Sequence, residues 1–341
     1  EYAYDFTGDN CHYGASRNPH DPEHMSGGSS GGSATAAASG MVPLTLGSDT
    51  NGSIRVPASF CGLFGLKPTY GRLPRTGTFP FVASLDHLGP LARTVTDLAL
   101  AHDVMQGHDG GDPACVDIPP DPVLPTLEEG VKGLRIAVAG AYFATGGMQE
   151  AFEAVARVAR VLDASTVVEI PEASAARAAA YLITMSEGAS LHLERLRHQA
   201  GDFDPDVRGR LIAGAMIPGS LVQMAQKYRR VFQRRLARIF REVDILLAPA
   251  TPCRAPRIGQ RTMILDGVEM PVRPNIGIFT QPVSFIGLPV VAVPVWTREH
   301  PLPIGIQVIA APWREDLGLR VARHLETEGI ARAPVAGAES P

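Results

Sequence analysis

Two serines, Ser29 and Ser53, each stand in a glycine-rich turn, where a hydroxyl beside bare backbone N–H groups could carry out acyl transfer. The first turn reads Gly27-Gly28-Ser29-Ser30-Gly31-Gly32-Ser33, the second Gly47-Ser48-Asp49-Thr50-Asn51-Gly52-Ser53. Asp49, Asn51 and Gly52 favour a tight bend whose successive N–H groups point one way. A serine closing such a nest can attack a carbonyl carbon while the N–H groups of Thr50, Asn51, Gly52 and Ser53 hold the developing oxyanion. The same Ser53 could instead cap the backbone from Ile54 onward, as serines commonly do. A phosphate loop is excluded, because GxxxxGK[ST] needs a lysine and the first turn has none. A dinucleotide turn fits poorly, since no clean strand precedes it and no acidic residue lies at the needed distance.

These turns need elements to hold them. The Gly-Gly-Ser-Ser-Gly-Gly run is linker-like by itself, but it leads into Ala34-Thr35-Ala36-Ala37-Ala38, a small-residue helix former. That helix presents unpaired N–H groups at its positive end. Further on, Thr94 is positioned to cap an amphipathic helix with Asp97 in its first turn. Leu134–Ala139, then Met148–Leu162 with apolar residues at helical spacing, then Thr166–Ile170 read as strand, helix, strand, a βαβ unit. Residues 172–242 read as mostly helical: an Ala-rich stretch over 173–186, then His192–His198, then Leu221–Glu242. Val243–Pro249, Val290–Val295 and Leu302–Ile309 read as buried strands, Met263–Met270 as a hairpin turning at Asp266-Gly267, and Glu315–Glu328 as a last helix. Residues 1–26 and 107–130 read as turn-rich loops.

Composition narrows the class. A chain of 341 residues can bury a full core. Its formal net charge of −4 recommends neither nucleic acid nor an anionic membrane as partner. The Arg-rich face of 221–242 therefore reads as solvated or ion-paired. The four cysteines, Cys11, Cys61, Cys115 and Cys253, are scattered without a CxxC pair, which argues against zinc and disulfides and fits a reducing cytoplasm. No apolar run reaches membrane-spanning length. His12, His20 and His24 with Asp21 match no standard metal spacing and read as a polar loop. Asp86-His87 invites a triad with Ser53, but the second turn is not a G-x-S-x-G elbow.

The two turns together resemble the amidase signature family. The run from Gly27 to Pro57 follows its motif almost residue for residue, and Cys61-Gly62-Leu63-Phe64-Gly65-Leu66-Lys67-Pro68-Thr69 and Phe279-Thr280-Gln281-Pro282 continue it. The resemblance implies an α/β fold in which a mixed central sheet is sandwiched between helical layers, as one amidase domain over 1–341. It implies Ser53 as nucleophile, Ser29 in a cis peptide as proton relay, a neutral lysine as base, and no metal or organic cofactor. The family's lysine lies several tens of residues before the double serine. Of Lys67, Lys132 and Lys227 none is upstream, and Lys67 belongs to the family's structural Lys-Pro-Thr turn, so an N-terminal segment preceding Glu1 is expected. A non-catalytic binding module is the reading if that lysine is truly absent.

The resemblance also bears on substrate. Glutamine-using amidotransferase members hold a carboxylate with an arginine that matches Arg210, or else Arg208, and grip the amino group with an acidic residue where this chain has Gly277. The opening segment and Ala83-Ser84-Leu85-Asp86-His87 are most similar to members that hydrolyse small carboxylated ureas of the biuret type in cyanuric acid breakdown. The expectation is a small-molecule amide substrate with its carboxylate on Arg210, releasing ammonia. A glutamine amidotransferase subunit with tRNA-binding partners and a general aliphatic or aryl amidase are the alternatives. Relatives suggest a homo- or hetero-oligomer with a small helical companion subunit.

Overall fold

Alternating apolar side chains on a run of buried strands build this fold around one large sheet. The computed structural model describes residues 1–338. In chain order the strands are β1 (Arg17–Asn18), β2 (Asp21–Met25), β3 (Leu44–Asp49), β4 (Phe64–Lys67), β5 (His87–Ala92), β6 (Ile136–Gly140), β7 (Thr166–Glu169), β8 (Ile245–Pro249), β9 (Thr262–Leu265), β10 (Val268–Pro271), β11 (Val290–Val295) and β12 (Ile304–Ala310). Eight of them form a mixed sheet in the order β3-β5-β4-β11-β12-β8-β6-β7. β6 lies parallel to β7 and β8, and the other pairings are antiparallel. The helices are α1 (Gly31–Ala38), α2 (Arg55–Cys61), α3 (Val95–Met105), α4 (Gln149–Val161), α5 (Ala173–Gln199), α6 (Pro205–Ala215), α7 (Gly219–Glu242), α8 (Val272–Asn275), α9 (Gln281–Phe285) and α10 (Glu315–Thr327).

Period-two alternation gives each sheet face its own core. Leu246, Ala248, Val290 and Ile309 pack with Ile183 of α5 and Phe232 and Leu236 of α7. Ile245, Leu247, Val291, Val293 and Val308 pack with Leu98 of α3, Val158 of α4 and Leu325 of α10. The sheet is thus covered on both sides, as the family resemblance implies. β6, α4 and β7 form the expected parallel βαβ unit. The hairpin β9–β10 turns at Asp266 and Gly267, both at positive φ (49° and 76°), the geometry a two-residue hairpin turn requires.

Some boundaries differ from the sequence reading, each for a local reason. The two stretches at 173–186 and 192–198 are one helix, α5. Gly188 lies inside it, where a Cβ would stand 2.8 Å from Phe81 Cε2. Residues 17–25 are not wholly turns but carry the short antiparallel ribbon β1–β2, and 107–130 includes one 3₁₀ turn at Leu124–Thr126.

At the start of α3 the Asp97 N–H donates to Thr94 Oγ1 at 3.1 Å. Thr94→Ala is expected to cost about 0.5–2 kcal/mol of stability, with Thr94→Ser restoring most of it. Urea unfolding midpoints of the three proteins read this directly.

Candidate active site

The two serine turns are brought together by secondary structure on both sides. Ser30, just before α1, binds the other turn three times. Its N–H donates to the Ser53 carbonyl (3.2 Å), its hydroxyl donates to the Ser48 carbonyl (3.1 Å), and the Ser48 N–H donates back to that hydroxyl (3.1 Å). The Gly28–Ser29 peptide is cis. Ser53 is buried and Ser29 half-buried.

Between β3 and α2 the backbone bends sharply at Gly52. Gly52 sits at φ +141°, and a Cβ there would lie 2.8 Å from that of Thr280, so both conformation and space demand glycine. Thr280 Oγ1 donates to the Asn51 carbonyl (2.6 Å) and to the Gly277 carbonyl (3.1 Å). A trans peptide points its C=O and N–H in opposite directions, so pinning the Asn51 carbonyl also aims the Gly52 N–H. Among the described residues, the N–H groups of Thr50, Asn51, Gly52 and Ser53 donate to no backbone carbonyl. Nor does Ser53 act as a helix cap. The Ile54 N–H donates instead to Asp49 Oδ2 at 3.2 Å, which leaves the Ser53 hydroxyl free of that task.

A fully buried ion pair braces the nest from beneath. Asp49 takes hydrogen bonds from Arg55 Nε (3.0 Å) and Nη2 (2.9 Å). Arg55 Nη1 donates to the Thr280 carbonyl (3.2 Å) and Gln307 Oε1 (2.7 Å), and Nη2 also donates to Ser284 Oγ. Burial pushes the Asp49 carboxyl up, but the Arg55 charge and hydrogen bonds outweigh it and hold it down at about 2.

Lys67 and His87 lie in the same buried layer. The Lys67 amine donates to the carbonyls of Pro68 (3.1 Å) and Leu288 and lies 3.3 Å from His87 Nε2. Burial, then the like charge of Arg55, pushes that amine down to about 7. His87 Nδ1 is 3.0 Å from the Asp49 carbonyl. Burial, then Lys67, pushes the imidazole well below its ordinary value, which keeps it neutral. The Asp86 carboxylate accepts from Thr50 Oγ1 (2.6 Å) and from the N–H groups of Phe81 and Val82 (2.8 Å each). Asp86 and His87 therefore hold the nest's shoulders and form no triad with Ser53.

Ser53, Thr50 and Asn51 line a pocket with Phe6, Arg210, Arg273 and Gln281. Ser29 is not in this wall. It is tied to Ser53 through the neighbouring Ser30. Of the two arginines left open by sequence, Arg210 reaches the pocket, whereas Arg208 donates to the Ala200 carbonyl (3.3 Å) away from it. Arg210 is firmly held: Nη2 donates to the Tyr4 carbonyl (2.6 Å), Nε to the Asp206 carbonyl (2.9 Å), and the guanidinium lies 4.1 Å from the Tyr4 ring centroid.

Among the pocket residues that the sequence reading did not place there are Phe6, Arg273 and Gln281. Arg273 pairs with Asp5 (2.9 Å) and Asp206 (3.1 Å), and Phe6 packs its ring against Gly277. Gln281 Oε1 accepts from Arg177 Nε at 2.7 Å. No local pattern marks Phe6 or Arg273, and Gln281 was read only as part of the motif, since each partner lies far along the chain.

The histidines of the opening segment are individually engaged. His24 pairs with Asp21 (2.9 Å), and His20 Nε2 is 3.1 Å from the Cys61 carbonyl. Among the described residues no group of three or more His, Cys, Asp or Glu could hold a metal ion, and no helix is long and apolar enough to cross a membrane.

A family model described as Amidase matches residues 1–319. The chain is 53% identical over 333 residues to AtzE of Pseudomonas sp. (strain ADP), a 1-carboxybiuret hydrolase subunit, covering 97% of this chain and 73% of that protein. It is 38% identical over 352 residues to a glutamyl-tRNA(Gln) amidotransferase subunit from Akkermansia muciniphila, covering 94% and 74%. Among solved structures, an inhibitor-bound vestigial protein complex bearing on the origins of an s-triazine catabolic enzyme superposes with a TM-score of 0.96 at 53% identity, over 98% of this chain and 73% of that one. The corresponding glutamyl-tRNA(Gln) amidotransferase subunit from Thermotoga maritima superposes at 0.85 with 32% identity, over 99% and 75%.

Proposed function

Because the chain belongs to the amidase family, we propose that it hydrolyses the terminal amide of a small carboxylated urea, 1-carboxybiuret, and releases ammonia. The observation that carries this is one pocket lined by both Ser53 and Arg210. The likeness to a 1-carboxybiuret hydrolase supports the choice of substrate. So does Gly277, which offers no acidic side chain to hold the amino group of glutamine.

In this mechanism Ser53 Oγ attacks the terminal amide carbon, and its proton passes to Ser29. Ser29 in turn gives a proton to the family's lysine, a role for which Lys67 is not placed, its amine being held by two carbonyls beside His87. The former carbonyl oxygen, now negative, rests on the N–H groups of Thr50, Asn51, Gly52 and Ser53. When the tetrahedral intermediate collapses, the C–N bond breaks and Ser29 returns a proton to the leaving ammonia. Water then adds to the Ser53 ester, splits the C–O bond and regenerates the hydroxyl. Each step uses only hydroxyls, backbone N–H groups and an amine. The protein complex described for the relative's structure supports a companion chain here too.

Arg210→Ala is expected to lower kcat/KM on 1-carboxybiuret by about 10- to 100-fold, mostly through KM. That is the worth of a hydrogen bond to a charged group, about 1.5–3 kcal/mol. Uncharged biuret should be affected far less. Steady-state ammonia release on both compounds tests the assignment, and equal losses on the two would remove Arg210 from carboxylate binding.

A further inference from the structure

Gly277 has no conformational reason to be glycine, because its φ lies outside the left-handed region. Its reason is space. A Cβ there would stand 2.6 Å from Phe6 Cζ and 3.2 Å from Cδ2, well inside van der Waals contact. The ring cannot simply swing aside. It is backed by the apolar cluster of Met25, Val56, Phe60 and Ile276, and its backbone neighbours are tied down on the pocket side. Arg210 holds the Tyr4 carbonyl, and Arg273 holds the Asp5 carboxylate. The Gly277 carbonyl accepts from the same Thr280 hydroxyl that pins Asn51, so this contact sits one hydrogen bond from the nest. Phe6 and Ser53 line the same pocket.

From this geometry we infer that Phe6, seated on the bare backbone of Gly277, is the specificity-determining wall of the pocket: it admits flat ureido and amide acyl groups and rejects substrates with a branched tetrahedral carbon. The inference rests on the amide-hydrolase reading above and extends it to shape. A planar urea presents a thin face that lies along an aromatic ring. A carbon bearing both a carboxylate and an ammonium, as in glutamine, projects substituents out of that plane. Asp5, the carboxylate of this pocket, is ion-paired with Arg273, which also reaches Asp206.

The test is a ratio, because kcat/KM for two substrates on one variant cancels any loss of folded protein. In the intact protein, Phe6→Ala is expected to narrow the preference for 1-carboxybiuret over glutamine by about 10- to 200-fold, the usual scale for reshaping an apolar pocket wall. Gly277→Ala alone should lose activity on both substrates. Adding Phe6→Ala to it should recover turnover, a coupling that two independent sites would not show. Wild-type turnover of 1-carboxybiuret separately tests the substrate reading. If that compound is not consumed, the same ratio is read with biuret against isobutyramide, so the two proposals fail separately. An unchanged ratio in Phe6→Ala, or a Gly277→Ala protein as active and selective as wild type with Phe6 in place, would overturn the inference.

Discussion

Ser53→Ala is expected to lower kcat for ammonia release by about 10⁵- to 10⁶-fold, the scale on which removing an activated serine abolishes covalent catalysis. The nest remains in the variant, because the backbone that forms it is held by Thr280, Ser30 and Asp49 and not by the Ser53 hydroxyl. Residual turnover above the uncatalysed rate is therefore expected, from the oxyanion donors and substrate binding alone. KM should change little, since Ser53 contributes reaction and not grip. A fluorophosphonate probe gives an independent readout. Wild-type protein should label at Ser53 and the variant should not, whereas Ser29→Ala should slow labelling without abolishing it. Persistent labelling of Ser53→Ala at the wild-type rate would move the nucleophile elsewhere in the chain.

Arg55→Met is expected to destabilise the protein by about 3–5 kcal/mol and to lose most of its activity along with that stability. Removing one partner of a buried pair leaves the other charge without compensation. Here the orphan is Asp49, fully buried at the foot of the nest. Its pH signature distinguishes this cause from ordinary loss of packing. In the wild type the Asp49 carboxyl is depressed to about 2 from 3.8. Its stabilisation is present above the unfolded value and lost as pH falls through the folded one. Without Arg55, burial dominates and the folded value rises above the unfolded one, so the sign reverses. The stability gap between Arg55→Met and wild type should then narrow as pH drops from about 8 toward 4. Denaturant titrations of both proteins across that range test it. A gap that stays constant with pH would mean the loss comes from packing and not from the stranded carboxylate.

Those two residues also mark what the sequence could and could not reveal. The turn that carries Ser53 was legible because the features that shape it are local: a run of small turn formers bends the chain, and the pattern is dense enough to carry a family resemblance. The helices and buried strands were legible for the same reason, since periodicity is a property of neighbours. Arg55 was read only as part of the motif. Its acceptors at Thr280, Ser284 and Gln307 lie 225, 229 and 252 residues further on, and nothing near Arg55 announces them. Phe6 and Gly277 are the same case. A glycine in a loop looks like a turn until the ring that requires it comes into view. The placement of Arg210 was legible only in part: the resemblance offered two arginines, and the turn of α6 decides which one faces the pocket.

The double contact between Ser30 and Ser48 has a consequence for how this motif tolerates change. Further along the same pair of elements, Ser33 Oγ donates to the Leu46 carbonyl (2.7 Å) and Thr45 Oγ1 to the Ser33 carbonyl (3.1 Å). Together these form a ladder of cross-rungs between α1 and β3. The separation of the two hydroxyls is set by that ladder and not by the peptide that joins the elements around Gly40 and Met41. The link is free to drift in length and composition while the rungs stay, so the distance in sequence between the serines is a poor guide to their distance in space.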